Sequence, residues 1–315
     1  MLESALKEAI ETVKLSNKYR LIERYEKPLY YCPKDGSSKF TGVFLDVETT
    51  GLAIPEDKII ELGLVVFEYG SDGRIFRILE EFSQYQDPGK PIPPHIVELT
   101  GITDAMVKNH QLDKGGIFQC LQAADMVIAH YATFDRVCVE ALWPDIPRKP
   151  WACTMMEIPW RQEGLESAKL EYLAYRYGFF YEGHRASTDC LAGVHLLSQV
   201  LPRSQQRVLK ALLENSEKTT FRIWALDAPM AEKEALKARQ YRWSPQGQGR
   251  HKAWFIELPA EKIFEELKFL WKEIYSYPAL IPVEVIDANS RYSREAILTE
   301  HWIEKPSQVK DLIER

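Results

Sequence analysis

Asp46 and Glu48 stand two residues apart in FLDVETTGL (44–52), a stretch that begins as an apolar run. Residues i and i+2 of a strand share a face, so the two carboxylates would point the same way and repel each other. A cation, a shared proton or open water must offset that repulsion. Two later stretches supply further candidates. VIAHYATFDR (127–136) sets Asp135 just past a strand at the start of a helix, and GHRASTDCLA (183–192) sets His184 in a loop with Asp189 about a turn inside the next helix. Taken singly, each has a bland reading. The acidic pair could sit on an edge strand facing water, Asp135 could favour a helix dipole, and His184 with Asp189 could be a surface ion pair.

The elements that must position these groups follow from the pattern around them. Residues 1–38 form an extension in which a helix over the first 35 or so is predicted, with Leu2, Leu6, Ile10 and Val13 on one apolar face. The aromatic, irregular stretch YEKPLYYCPKDGSS closes it. Strand-like runs come next, TGVFLDVE, KIIELGLVVFEY and RIFRILEEFSQY, the last two joined by the turn SDG. After the Pro-rich DPGKPIPPH the pattern alternates: strand DMVIAHY, a helix through 134–143, strand WACTMM, and helices near 168–177 and 185–200. Hairpins followed by strand–helix alternation imply an α/β domain over 39–202, a mixed sheet flanked by helices.

Residues 203–218 are expected to be a helical connector, and 219–315 a small α+β unit with a β-α-β-β-α-β pattern. In that unit EKIFEELKFLWKEIY is amphipathic, with Ile263, Phe264, Leu267, Trp271 and Ile274 on one face. Lys237, Arg239, Arg242, Arg250 and Lys252 interleave with Tyr241, Trp243 and Trp254 around the turn SPQGQGRH. Such a mixture serves either a single-strand platform or a hairpin whose tryptophans pair while its charges are solvated.

Composition narrows the class. The chain has 315 residues, 45% hydrophobic and 27% charged, enough for one large domain or two smaller ones with real cores. Its net charge of −6 argues against a generic nucleic-acid coat, but residues 203–315 carry +2 and residues 1–202 carry −8. The acidic excess thus lies with the Asp46 motif, as a metal-loaded site would have it. Five cysteines (Cys32, Cys120, Cys138, Cys153, Cys190) form no CxxC pair, which points to reduced thiols and a cytoplasmic location. No apolar stretch approaches the ~20 residues of a membrane span, so no membrane association is expected.

DVETTGL, HYATFD and HRASTD, with LTGIT at 99–103 between the first two, together resemble the DEDDh branch of the DnaQ-like 3′–5′ exonucleases. The resemblance covers roughly residues 40–200. More loosely, LKARQYRW (236–243) makes the whole chain resemble bacterial DNA polymerase III epsilon-subunit-like exonucleases with an extra C-terminal domain. The resemblance implies an RNase H-like five-stranded mixed sheet and two divalent cations, Mg²⁺ or Mn²⁺, held by Asp46, Glu48, Asp135 and Asp189. Hard cations roughly 3.5–4 Å apart answer the repulsion problem, since in-line phosphodiester cleavage needs an activated water and neutralised phosphoryl oxygens. His184 would be the general base, because its unperturbed pKa lies near working pH. In the sister branch a tyrosine four residues before the final Asp fills that role; here that position is Arg185.

Substrate roles are likewise implied for Thr49, Thr50, Gly51 and Leu52, and for His130, Tyr131 and Phe134. Tyr131 departs from the family pattern, which has Asn there. The expected activity is 3′–5′ removal of nucleotides from nucleic acid with a free 3′ end, DNA favoured. Two alternatives stay open: trimming of RNA or oligoribonucleotides, and a polymerase-associated proofreading or docking subunit whose N-terminal and C-terminal extensions bind a protein partner.

Overall fold

The computed structural model describes residues 2–33, 35–245, 251–277, 279–294 and 298–313. The chain divides into two compact units, Met1–Pro147 with Ala152–Leu213, and Arg148–Trp151 with Glu214–Arg315. In chain order, α1 (Leu2–Lys14) and the two-residue β1 (Glu23–Arg24) precede three long strands, β2 (Lys39–Thr49), β3 (Ile59–Gly70) and β4 (Ile75–Tyr85). Helices α2 (Pro94–Thr100), α3 (Asp104–Val107) and α4 (Lys114–Ala123) lead to β5 (Met126–Ala129), α5 (Ala132–Leu142) and β6 (Trp151–Cys153). There follow α6 (Thr154–Glu157), α7 (Leu170–Tyr177), β7 (Phe179–Phe180), α8 (Ala186–Leu197) and α9 (Val208–Ser216).

The main sheet has the order β4-β3-β2-β5-β6, with β3 antiparallel to β2 and β4, and β5 parallel to β2. This is the expected mixed five-stranded sheet flanked by helices. Val43, Phe44 and Leu45 are all fully buried, because central β2 is covered on both faces; that is why it reads as a continuous apolar run. α8 lies close against the sheet, and glycines make the approach feasible. A Cβ at Gly193 would sit 2.2 Å from the Phe44 ring, and one at Gly63 2.2 Å from the Ala186 carbonyl carbon. Substitution at either position would push the helix off the strands that carry Asp46 and Glu48.

Two expectations need correction. The N-terminal helix stops at Lys14, not near residue 35, because the following chain is drawn into tertiary contacts. β1 pairs with β7, and Tyr25 stacks beside Phe179 and His195. WACTMM is a strand only to Cys153; Thr154 opens a helical turn in which the Met155 N–H donates to His130 O and the Trp160 Nε1–H to Thr154 O. The expected helical connector holds α9, whose Val208, Leu209 and Leu212 are buried in the first unit's core.

The second unit is a five-stranded sheet ordered β12-β11-β8-β10-β9, made of β8 (Thr220–Ala225), β9 (Arg242–Trp243), β10 (Trp254–Pro259), β11 (Ile281–Ile286) and β12 (Thr299–Ile303). Helices α10 (Lys233–Ala238), α11 (Ala260–Phe269) and α12 (Pro306–Ile313) complete it. The predicted β-α-β-β-α-β pattern is present, extended by β12 and α12. Ile263, Leu267 and Ile274 are buried, with Phe264 and Trp271 packed against the same core. Trp243 and Trp254 face each other across the hairpin at 5.5 Å, and Lys237, Arg239 and Arg242 are ion-paired to Glu234, Glu266 and Glu257. These residues therefore pack and pair as a hairpin. Most of the turn SPQGQGRH, including Arg250, lies outside the described residues.

Candidate metal centre

β2 carries Asp46 and Glu48 toward its C-terminal end, just before a bulge between Glu48 and Thr49 that ends regular pairing with β3. α8 brings Asp189 to them from its first turn. One carboxylate oxygen each from Asp46, Glu48 and Asp189 fall within 4.8 Å of one another. Asp135, in the first turn of α5, is buried beside this trio but not part of it, with the Val47 N–H directed at its carboxylate.

So many acids in one place strongly favour their neutral forms. Asp46 meets some solvent but lies deep among protein atoms; burial first, then repulsion from Asp135, Asp189, Glu48 and Glu61, raises its pKa well above the usual carboxylate range. Burial, with repulsion from Asp189, Glu61 and Asp135, lifts Glu48 to about 8, and the Arg185 guanidinium offsets only part of this. Burial raises Asp135 to about 7 although backbone N–H groups, Val47 foremost, oppose it. Asp189 is also raised by burial, against the Tyr181 hydroxyl, the Arg185 N–H and the nearby His184. A dense all-oxygen donor set that resists ionisation on its own fits hard divalent cations, whose charge would replace the protons.

His184 precedes the N-cap Arg185 of α8 with φ at +64°, and its side chain is half exposed. Its Nε2 lies 3.9 Å from Glu171 Oε1. The remaining sequence candidates divide into two groups. Leu52, 84% exposed, and Tyr131, 46% exposed, are open to solvent, and Phe134 is half-buried. The others face inward. Thr49 Oγ1 donates to the Gly51 carbonyl, and Thr50 Oγ1 donates to Asp57 and accepts from the Lys58 N–H. At Gly51 the close neighbour is the Asp57 carboxylate, 2.4 Å from where a Cβ would be. His130 is buried with Nδ1 2.7 Å from Thr154 Oγ1, and burial holds its pKa down at about 4. A neutral, enclosed imidazole supports the strand–helix corner and is poorly placed to touch a substrate.

Sequence reasoning passed over three groups that shape the site. Asp57 ties the 50–57 loop together through Thr50, the Ala53 N–H and Lys90. The Tyr181 hydroxyl donates to Asp189 Oδ1 at 3.0 Å; it stands eight residues before Asp189, a spacing with no motif signal. Glu61, fully buried on β3, lies directly across from Glu48 and is gripped by Arg185. An acid inside the apolar run KIIELGLVVF was the one visible hint of it.

Parts of this chain are similar to known proteins. A family model described as "Exonuclease" matches residues 43–197. The chain is 29% identical over 189 residues to a DNA polymerase III PolC-type of Pediococcus pentosaceus, covering 56% of this chain and 12% of that protein. It is 43% identical over 97 residues to the 3′-5′ exonuclease DinG of Bacillus subtilis, covering 30% of this chain and 10% of that protein. The chain thus spans about a tenth of the length of these curated relatives. Among solved structures, Exonuclease X in complex with 5′ overhanging duplex DNA aligns with a TM-score of 0.39 and 22% identity, over 54% of this chain and 99% of that one.

Proposed function

We propose that this chain, whose residues 43–197 match an exonuclease family model, is a DnaQ-like, metal-dependent 3′–5′ exonuclease acting on DNA with a free 3′ end. The observation that carries this reading is the trio Asp46, Glu48 and Asp189, converging within 4.8 Å at the end of the central strand. Asp135 beside it and His184 at its edge complete the set. The names of the relatives, a DNA polymerase and a 3′-5′ exonuclease, favour DNA as the substrate.

Bound Mg²⁺ or Mn²⁺ would neutralise phosphoryl charge and make a water a better nucleophile at neutral pH. The chain's own part is to place and protect that chemistry. Asp46, Glu48 and Asp189 would hold the cations, with Asp135 contributing from the buried side. His184, solvent-exposed and beside Asp189, takes the proton from the attacking water as the new P–O bond forms and the P–O3′ bond breaks. A 5′-mononucleotide leaves and a new 3′ hydroxyl remains. Leu52 and Tyr131 present apolar and aromatic surface to solvent, suited to the terminal bases. A cytoplasmic location belongs to the same proposal, motivated by five cysteines that form no disulfide.

The test is cleavage of 5′-labelled DNA and RNA single strands of one sequence, with Mg²⁺ and with EDTA. A ladder shortening from the 3′ end of DNA, absent in EDTA, is expected. Faster trimming of RNA would reassign the substrate, and no cleavage of either would overturn the reading.

A further inference from the structure

Asp189 and His184 reach the site from α8 and the residue before its cap, whereas Asp46 and Glu48 come from β2. Something must fix one relative to the other before any cation arrives. The geometry points to the pair Glu61–Arg185 as the strap that does so, making both positioning residues of the metal centre. This inference rests on the nuclease reading above.

Glu61 stands opposite Glu48 in the β2–β3 register and is completely buried. Its oxygens are fully engaged. Arg185 Nε donates to Oε2 and Nη2 to Oε1, each at 3.1 Å; the Ala186 N–H donates to Oε2 at 3.1 Å and Ser83 Oγ to Oε1 at 2.8 Å. With four donors on two oxygens, Glu61 has little left for a cation and lies outside the trio. The fork–fork contact fixes the guanidinium in orientation as well as distance. Arg185 Nη2 also donates to the Tyr85 hydroxyl at 2.7 Å.

The same residue then holds the catalytic side. The Arg185 backbone N–H donates to Asp189 Oδ2 at 3.1 Å, and its carbonyl accepts the first N–H groups of α8, from Thr188 and Asp189. His184, next in the chain, sits in the left-handed region at φ +64°, a conformation that a non-glycine residue keeps only when its surroundings impose it. Gly63, two residues along β3 from Glu61, lets the Ala186 backbone come close enough for the grip. One arginine thus connects the strand facing Glu48, the metal ligand Asp189 and the base His184.

The experiment measures Mn²⁺ binding by calorimetry in the absence of nucleic acid, alongside kcat, KM and thermal melts, for wild type, Arg185→Lys, Glu61→Gln and Tyr85→Phe. Lysine keeps the charge and loses the fork, so a mere counter-charge would survive the change. Loss of positioning predicts about a tenfold weaker Mn²⁺ affinity and about a tenfold lower kcat for Arg185→Lys, as is typical for groups that orient metal ligands. KM should stay within about twofold, since the substrate-facing surface is untouched. A variant combining Arg185→Lys with Glu61→Gln should be no worse than the poorer single one, because both act through one contact. Tyr85→Phe removes a single hydrogen bond and should move affinity in the same direction by less, which keeps the idea testable if Glu61→Gln fails to fold. Wild-type Mn²⁺ affinity and kcat in Arg185→Lys, with only a lower Tm, would overturn the strap. A wild-type chain that binds Mn²⁺ but cleaves nothing would instead sink the nuclease reading, while the binding series still decides the strap.

Discussion

Raising the pH from 6 to 8 in EDTA should destabilise the protein, and a divalent cation should reverse the effect. In the folded chain burial, with repulsion from Asp189, Glu61 and Asp135, lifts Glu48 to about 8; burial lifts Asp135 to about 7. In the unfolded chain both return to ordinary carboxylate values, so between these limits the folded state binds more protons. Stability is therefore greatest at low pH in this window and falls as pH rises toward the folded pKa values. Integrated from pH 6 to 8, the loss is about 2 kcal/mol for Glu48 and about 1 kcal/mol for Asp135. Asp46, raised by burial and by its acidic neighbours, adds in the same direction. About 3 kcal/mol corresponds to a fall of roughly 6–10 °C in Tm for a unit of this size. Cation at about 100 times its Kd returns about 2.7 kcal/mol, nearly all of it. Melts at pH 6, 7 and 8, with EDTA and with Mg²⁺, measure both slopes. Parallel profiles with and without cation, or a metal-free chain more stable at pH 8 than at pH 6, would refute the reasoning.

Asp46→Ala should abolish nuclease activity while raising the Tm of the metal-free protein at pH 8, since it removes a buried charge facing like charges; circular dichroism melts and a cleavage assay check both. His184→Ala should lower kcat by about 10²–10⁴-fold and flatten the rise of rate with pH, as loss of a general base does; an unchanged pH profile would remove it from that role. Tyr131→Asn should raise KM with unchanged Tm if the half-exposed ring stacks on a nucleotide, whereas a lower Tm at constant KM would make it a packing residue. Over pH 6.5 to 4 buried His130 should subtract about 3 kcal/mol, because the unfolded chain gains a proton that it refuses, against the opposite contribution of Glu48 and Asp135; His130→Gln should therefore gain more stability than wild type between pH 6.5 and pH 4 in melts.

Much of this was visible in the sequence because the informative patterns are local. β2 and β3 appear as unbroken apolar runs since both of their faces are covered, and Asp46 and Glu48 stand out inside such a run. Asp189 and His184 stand only five residues apart, so their spacing alone links them. What the sequence hid is long-range. Glu61 and Arg185 lie 124 residues apart, and only the β2–β3 register together with the Gly63 approach reveals that they meet beside Glu48. Tyr181 is aimed at Asp189 by the irregular turn between β7 and α8, a geometry no spacing rule encodes. The N-terminal helix was overextended for the reverse reason. Periodicity continued to suggest helix where pairing of β1 with β7, and the packing of Tyr25 and Tyr31 against His195, decides the backbone instead. The packing of Thr50 and Gly51 against Asp57 is likewise a contact that the motif does not reveal.

The central claim, that the convergent carboxylates make this chain a 3′-end nuclease, is tested most directly by a 5′-labelled DNA strand offered in two forms, with a free 3′ hydroxyl and with a blocked 3′ terminus. Wild-type protein in Mg²⁺ should shorten the first into a ladder from its 3′ end and leave the second intact, and Asp46→Ala should leave both intact. Equal degradation of the two strands by wild type, or a full ladder from Asp46→Ala, would contradict it.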